Sequence, residues 1–202
     1  MPKPVPIVIV LHGEDEFAIA QFVSDQEEAL GDVASGGMNV SRLDGRTYSF
    51  SDLPSLTHAM PFLARRRLVV YSNFLAGLNS PASREKFKAM LEKVPATTEL
   101  ILIENKPLVE DRDRKKGKRH WIEKWADEQP GTAVVKEFAI PKGGMMARWI
   151  QEKAKSAGGQ ISPAAAALLS NLAGDDARQV NQEIQRLLAY VDWKRPVEPE
   201  DV

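Results

Sequence analysis

The chain has 202 residues, of which 43% are hydrophobic and 27% are charged, and its formal net charge is −1. This composition is typical of a globular protein, and the near-neutral charge gives the whole molecule no general preference for nucleic acid or anionic membranes. The absence of cysteine excludes disulfide bonds and thiolate metal sites and fits a cytoplasmic location, and no apolar run approaches the roughly 20 residues that span a bilayer.

Five apolar segments predict β-strands in the first two thirds of the chain. They are Val5–Leu11, Met38–Leu43, Arg67–Tyr71, Glu99–Glu104 and Ala133–Phe138. The segments between them predict helices over about Glu16–Leu30, Ser51–Met60, Pro81–Val94 and Trp121–Asp127. Strands that alternate with helices indicate an α/β fold with a largely parallel five-stranded sheet and flanking helices.

The pattern changes at Pro141–Gly144, after which we find only helical segments. They are Met145–Ser156, Pro163–Leu172 and Asp176–Val191. Ser162 and Pro163 form a helix start with a cap and a proline in the first turn, and glycines follow the first two helices. The sequence therefore predicts an α/β domain over residues 1–140 and a small three-helix domain over residues 141–202.

The segment between the second helix and the third strand has large apolar residues at a turn. An apolar stripe at helical spacing precedes it, formed by Phe50, Leu53, Leu56 and Met60. Pro61 disfavours helical geometry at Met60, so we expect the helix to end there. Phe62 and Leu63 then either fold inward against the edge of the core or project outward as an anchor for a partner. Both alternatives stay open, although Arg65–Arg67 cannot all be buried and so place this turn near the surface.

The first strand-to-helix turn lacks a phosphate-binding loop. Gly13 is followed by three carboxylates and Phe17, without the second glycine and the lysine that a P-loop needs. Negative side chains suit the N-terminus of a helix but repel a triphosphate. We therefore expect no ATP binding of the P-loop kind.

No other pattern indicates an active site. The adjacent carboxylates Glu14–Glu16 are one arrangement that binds a divalent metal, but capping and solvation are their commoner roles. His12, His58 and His120 lie far apart in sequence, without metal-ligand spacing or a nucleophile motif beside them. The sequence predicts no catalytic residue, no metal site and no cofactor.

A basic segment contains six cations within eight residues. They are Arg112, Arg114, Lys115, Lys116, Lys118 and Arg119. We favour a solvated, mobile loop, and the alternative is a patch that contacts DNA phosphates, with an affinity that falls as salt rises. The tryptophans at 121, 125 and 149 stand among aliphatic residues at helical spacing and are predicted to lie in the core.

Several motifs, in this order and spacing, resemble the delta subunit family of the bacterial DNA polymerase III clamp loader. They are Leu11–Asp15, Leu43–Gly45, Ala59–Val70, Leu172–Arg178 and Asn181–Leu187. The resemblance covers nearly the whole chain. It implies an AAA+-like module, with a RecA-like α/β domain and a helical lid domain, in a subunit that has lost ATPase function and has no catalytic activity of its own.

The resemblance also implies a binding site. In the family, a hydrophobic pair at this helix end enters a pocket of the β sliding clamp. By position the pair is Phe62 and Leu63, with Met60 and Pro61 shaping the turn. The family order is commonly aliphatic then aromatic, and it is reversed here.

Further partners follow from the same resemblance. The family joins the other clamp-loader subunits through a C-terminal collar domain, and this chain ends where that domain is expected to begin. The assembled loader opens the clamp and places it on primer-template DNA during replication, as part of the polymerase III holoenzyme. The alternatives are a nucleotide-dependent α/β enzyme and a DNA-binding module that uses residues 112–119.

Overall fold

The computed structural model of the protein describes residues 7–31, 37–109, 111–140, 145–173 and 177–202. The chain divides into two compact units. One consists of Met1–Gly13 and Ala18–Phe138, and the other of Glu14–Phe17 and Ala139–Val202. The predicted linker Pro141–Gly144 lies outside the described residues, and the assignment of an α/β domain to residues 1–140 and a lid domain to residues 141–202 stays a prediction.

Strands and helices alternate up to residue 137. The strands are β1 (Val8–His12), β2 (Val40–Asp44), β3 (Arg67–Ser72), β4 (Thr98–Glu104) and β5 (Ala133–Glu137). The helices are α1 (Glu16–Ala29), α2 (Leu53–Thr57), α3 (Pro81–Leu91), α4 (Asp111–Arg114) and α5 (Trp121–Asp127). Two 3₁₀ helices, Phe50–Asp52 and Phe74–Gly77, were not predicted from the sequence.

The five described strands form one parallel sheet in the order β2-β3-β4-β1-β5. Strand β1 is buried along its whole length, as its apolar run predicts. Successive side chains of a strand point to opposite faces, so the sheet separates two apolar clusters. One cluster contains Phe74, Phe87 and Trp125, and the other contains Ile19 and Leu11. The predicted parallel α/β sheet with flanking helices is confirmed.

Among the described residues after Ala139, the second unit has three α-helices, as predicted. They are α6 (Met146–Ser156), α7 (Pro163–Ala173) and α8 (Ala177–Tyr190), and a 3₁₀ helix follows at Pro199–Asp201. Their apolar sides share one core with Ile150, Leu169 and Ile184, and Trp149 is partly buried against it. Ile161 and Val197 also form an isolated parallel bridge, which belongs to none of the described strands.

The helix before the turn ends earlier than predicted. Helix α2 ends at Thr57 instead of Met60, and the side chain of Met60 is 82% exposed, so it does not belong to the buried apolar stripe. The other predicted boundaries are displaced by up to a few residues, as is usual for helix and strand ends. None of the described helices is both long enough and apolar enough to cross a membrane.

Candidate functional site

The turn at residues 60–63, here called the corner, exposes its apolar side chains. Phe62 is 51% exposed, Leu63 is 89% exposed and the neighbouring Met60 is 82% exposed. Of the two alternatives for Phe62 and Leu63, the outward orientation is the one that the structure has. Exposed aromatic and aliphatic side chains at adjacent positions are typical of residues that enter a partner's pocket.

The corner begins where helix α2 stops, and Pro61 explains the position of that stop. In a continued helix the carbonyl oxygen of Thr57 would accept a hydrogen bond from the N–H of residue 61, which proline lacks. The Oγ1 of Thr98 donates to this carbonyl instead, at 2.6 Å. The hydroxyl of Thr57 itself donates to the carbonyl of Leu53 at 3.0 Å. The proline therefore ends the helix four residues before itself, and β4 satisfies the freed carbonyl.

Asn39 holds the other side of the corner. Its Nδ2 donates to the carbonyl oxygen of Phe62 at 2.8 Å, and its Oδ1 accepts from the N–H of Phe62 at 2.6 Å. One amide side chain thus pairs with both backbone groups of residue 62. Sequence reasoning did not identify Asn39, because it lies 23 residues before Phe62 and carries no local signal of this contact.

Leu63 has a left-handed backbone, with φ of 53°. A residue with a Cβ pays about 1–2 kcal/mol in this region relative to ordinary helical geometry. The strained conformation directs Leu63 into solvent in the structure. Backbone strain of this kind persists where surrounding contacts impose it, and it is concentrated at binding and switch sites.

The three arginines after the corner have different environments. Arg65 is exposed, whereas Arg67 is buried and donates from Nη2 to the hydroxyl of Ser41 at 2.9 Å. Arg66 lies 3.4 Å from the Glu99 carboxylate. Burial raises the pKa of Glu99, and the attraction of Arg66 opposes that rise only in part. Arg66 and Arg67 therefore attach the end of the corner to the sheet.

The first strand-to-helix turn is closed by its own backbone. Gly13 has φ of 129°, and a Cβ at this position would lie 2.1 Å from the carbonyl oxygen of Phe138. The N–H of Phe138 also donates to the carbonyl oxygen of His12 at 2.7 Å. Glycine is thus needed at residue 13 for a close backbone approach. Phe138, the residue that follows β5, occupies the space beside this turn.

The three carboxylates after Gly13 differ in burial. Glu14 and Glu16 are exposed, whereas Asp15 is buried. Within the second unit, to which residues 14–17 belong, Lys153 Nζ lies 2.7 Å from Asp15 Oδ2. Among the residues that the structure describes, no three His, Cys, Asp or Glu side chains are arranged to hold a metal ion.

The basic segment is more ordered than a solvated loop. Residues 111–114 form helix α4, so the loop interpretation is wrong for that part. Arg114 contacts the Glu137 carboxylate at 2.6 Å, and Lys118 and Arg119 contact Asp113 and Asp127 at 3.0 and 2.5 Å.

Two of the remaining cations are exposed. Lys115 and Lys116 lie in the turn after α4, whereas the side chain of Arg112 lies outside the described part of the chain. Exposed ion pairs of the kind made by Lys118 and Arg119 contribute little to stability. They do place a carboxylate beside each cation, which weakens the attraction of the segment for phosphate.

A cleft of about 390 Å³ next to the basic segment brings together residues that are distant in sequence. Its lining includes His12, Arg114, Glu123 and Glu137. His120 caps α5 and is close enough to His12 for their charges to interact. Burial lowers the pKa of His12, and burial together with nearby cations lowers the pKa of His120 to about 4. No local sequence pattern indicates this proximity, because it depends on β1 lying beside β5.

Comparisons with known proteins agree on one family. A family model for "DNA polymerase III, delta subunit" matches residues 10–128, more than half of the chain. The Bacillus subtilis DNA clamp loader delta protein (YqeN) is similar in structure, with a TM-score of 0.74 and 20% identity over 98% of this chain and 57% of that chain. Thermotoga maritima RuvB, a Holliday junction branch migration motor, has a TM-score of 0.47 and 12% identity over 96% of this chain and 58% of that chain. No match was found among the curated proteins.

The Bacillus subtilis likeness shows the fold. The predicted RecA/AAA+-like architecture, with a parallel five-stranded sheet followed by a helical unit, is confirmed. The chain spans less than two thirds of the length of either solved protein.

Proposed function

The chain belongs to the DNA polymerase III delta subunit family, and from that premise we propose that it is a clamp-loader subunit that binds the β sliding clamp. The proposed contact is the corner, with Phe62 and Leu63 as the inserted pair and Met60 and Pro61 beside them. The observation that carries the proposal is that an aromatic and an aliphatic side chain are exposed on a backbone held in place by hydrogen bonds. These bonds come from Asn39, just before β2, and from Thr98, in β4.

The energetics of such an anchor suit a protein interface. A few buried aromatic and aliphatic residues commonly dominate binding, and truncation of one costs about 2 kcal/mol or more. Phe62 and Leu63 have apolar surface to lose on binding. Because their backbone is already ordered, little conformational entropy is lost when they enter a pocket.

Ring opening follows from a difference in affinity. A partner shifts an equilibrium between two states of the clamp only by as much as it binds one of them more tightly. We propose that the corner fits a clamp whose subunit interface is relaxed better than the closed ring. Binding then increases the population of clamp that opens.

A catalytic role is not part of the proposal. The turn after β1 lacks the glycine and lysine of a P-loop, and the backbone at Phe138 approaches Gly13 closely. The alternative of a nucleotide-dependent enzyme has no observation in its favour. In the proposed assembly, ATP binds to other loader subunits, which join this family through a C-terminal collar domain, and no cofactor is bound by this chain.

Primer-template DNA is a proposed partner of the assembled loader. Lys115 and Lys116 are its candidate contacts in this chain because they are exposed in a turn. Arg114, Lys118 and Arg119 are weaker candidates since each is paired with a carboxylate. Binding through the two lysines predicts an affinity that falls as salt rises and that decreases on their replacement by alanine.

The test of clamp binding is a titration of this chain with the sliding clamp encoded by the same genome. The wild type is compared with Phe62→Ala/Leu63→Ala, and circular dichroism checks that both are folded. We expect the double variant to lose at least about thirtyfold in affinity, which corresponds to roughly 2 kcal/mol.

A matched control removes an equally exposed pair elsewhere. Leu172→Ala/Tyr190→Ala deletes one aliphatic and one aromatic side chain from the second unit, and we expect it to bind the clamp like the wild type. Equal binding by the corner variant and the wild type would contradict the anchor. A folded wild type that does not bind the clamp would contradict the proposed function altogether.

A further inference from the structure

Asn39 is a buried residue that is hydrogen-bonded to two other segments of the chain. It is only 1% exposed, and it lies just before β2. Its own carbonyl oxygen accepts a hydrogen bond from the N–H of Leu68 at 2.8 Å, so its backbone is joined to β3. This bond belongs to the first pair of the β2–β3 register, in which Leu68 lies opposite Val40.

The same residue reaches the corner with its side chain. Its amide donates to the carbonyl oxygen of Phe62 and accepts from the N–H of Phe62, which is the pattern of two backbone groups in a sheet. Phe62 contacts the side chain of Asn39, and six residues later Leu68 contacts its backbone. Asn39 thus closes the loop 62–68 at both of its ends.

The contacts of Asn39 at both ends of the loop explain the strained backbone of Leu63. Leu63 is in the left-handed region although it has a Cβ and no side-chain packing that would favour this geometry. With Phe62 held at both backbone groups and Leu68 held in the sheet, the intervening chain has to turn sharply. The contact with Asn39 supplies the constraint that keeps Leu63 in this conformation.

We infer that Asn39 is a positioning residue for clamp binding, which presents Phe62 and Leu63 in the conformation that enters the clamp. The inference rests on the proposed function of the corner. Without the contact, the corner exchanges among several conformations, and the binding-competent one is only a fraction of the total. The apparent affinity is the intrinsic affinity multiplied by that fraction.

Among side chains of this length, asparagine is the one that has both an amide donor and a carbonyl acceptor. Alanine removes the donor and the acceptor, and aspartate keeps an acceptor but places a carboxylate oxygen against the carbonyl oxygen of Phe62. Phe62 is 51% exposed, so we expect water to replace the lost bonds at its backbone groups in Asn39→Ala. The variant therefore retains its fold while the corner loses its fixed geometry.

The first measurement is hydrogen exchange in the free protein, followed by NMR at the Phe62 amide. We expect faster exchange in Asn39→Ala than in the wild type. The control is Asn181→Ala, which removes another buried asparagine, from α8 in the second unit. It is expected to leave exchange at Phe62 unchanged even where it lowers the melting temperature.

The second measurement is clamp affinity in a double-mutant cycle. Asn39→Ala is expected to weaken binding about tenfold, as the loss of two ordering hydrogen bonds allows. In a Phe62→Ala background the effect of Asn39→Ala is expected to shrink, because the side chain that it positions is gone. If Asn39 acted only on overall stability, the losses of affinity in the two single variants would combine in the double variant to within about twofold.

The outcomes separate this inference from the proposed function. If the wild type binds and Asn39→Ala binds equally well, or if its effect is the same with and without Phe62, the positioning role is wrong and clamp binding stands. If Asn39→Ala leaves exchange at the Phe62 amide unchanged, the positioning role is wrong as well. If the wild type does not bind the clamp, both are wrong.

Discussion

Thr98 and Thr57 are joined by a 2.6 Å hydrogen bond between the hydroxyl of the first and the carbonyl oxygen of the second, and both residues are fully buried. Thr98 is the first residue of β4 and Thr57 is the last residue of α2. The bond therefore fixes the point at which the chain enters the corner. It also satisfies a carbonyl that the proline at position 61 leaves without its helical donor.

Thr98→Val is expected to lower the free energy of unfolding by about 1–3 kcal/mol, because it leaves the buried carbonyl of Thr57 without a partner while preserving the shape of the side chain. Chemical denaturation measures the change. Thr132→Val is the matched control, since the hydroxyl of Thr132 also donates to a carbonyl, that of Gln129, but at an exposed site. A loss in Thr98→Val no larger than that in the control would contradict the importance of this bond.

We expect Leu63→Gly to be more stable than Leu63→Ala by roughly 0.5–1 kcal/mol, because glycine adopts a φ of 53° without strain. Both variants lose the leucine side chain, so both are expected to bind the clamp more weakly. Thermal unfolding and clamp titration measure the two effects separately. Ala64→Gly, at a neighbouring residue without positive φ, should show the opposite sign and lose stability.

Gly13→Ala is expected to lower the free energy of unfolding by more than about 2 kcal/mol. The new Cβ would lie 2.1 Å from the backbone oxygen of Phe138, and φ at this residue is 129°. Gly77→Ala is the control, because a Cβ there meets nothing within 4 Å and its φ is not positive. Similar unfolding midpoints for the two variants would show that the turn after β1 has more room than the structure indicates.

Acid is expected to destabilise the protein through His120. Its folded-state pKa is about 4, below the ordinary value of 6.5, mainly because burial disfavours the charged ring. Between pH 6.5 and about 4 the unfolded chain therefore binds more protons at this residue, and the stability contributed by His120 is lost as the pH falls through this window.

The pH dependence is checked by urea unfolding of the wild type and His120→Asn at pH 7 and pH 5. Asparagine keeps a capping side chain for α5 but does not titrate. We expect the variant to lose less stability than the wild type between the two pH values. Since the raised pKa of Glu99 is present in both proteins, it cancels in the comparison. An equal loss in both proteins would argue against a lowered pKa at His120.

Much of the fold was predictable because its signals are local. The apolar runs at Val8–His12 and Thr98–Glu104 are too continuous for a half-exposed strand, and they lie in the centre of the parallel sheet. The cap and proline at Ser162–Pro163 marked the start of α7. The lack of a P-loop glycine and lysine after Gly13 was also evident from the sequence. Each of these features depends on residues within a few positions of one another.

That an apolar pair stands at a turn between a helix and a buried strand follows from local sequence, because Pro61 and the run Leu68–Val70 are close to the pair. The exposure of Phe62 and Leu63 to solvent, in contrast, depends on long-range contacts. That outcome depends on Asn39 and Thr98, which lie 23 residues before Phe62 and 41 residues after Thr57. They reach the corner because β3 lies between β2 and β4, and strand order is a property of the whole sheet that no local pattern encodes.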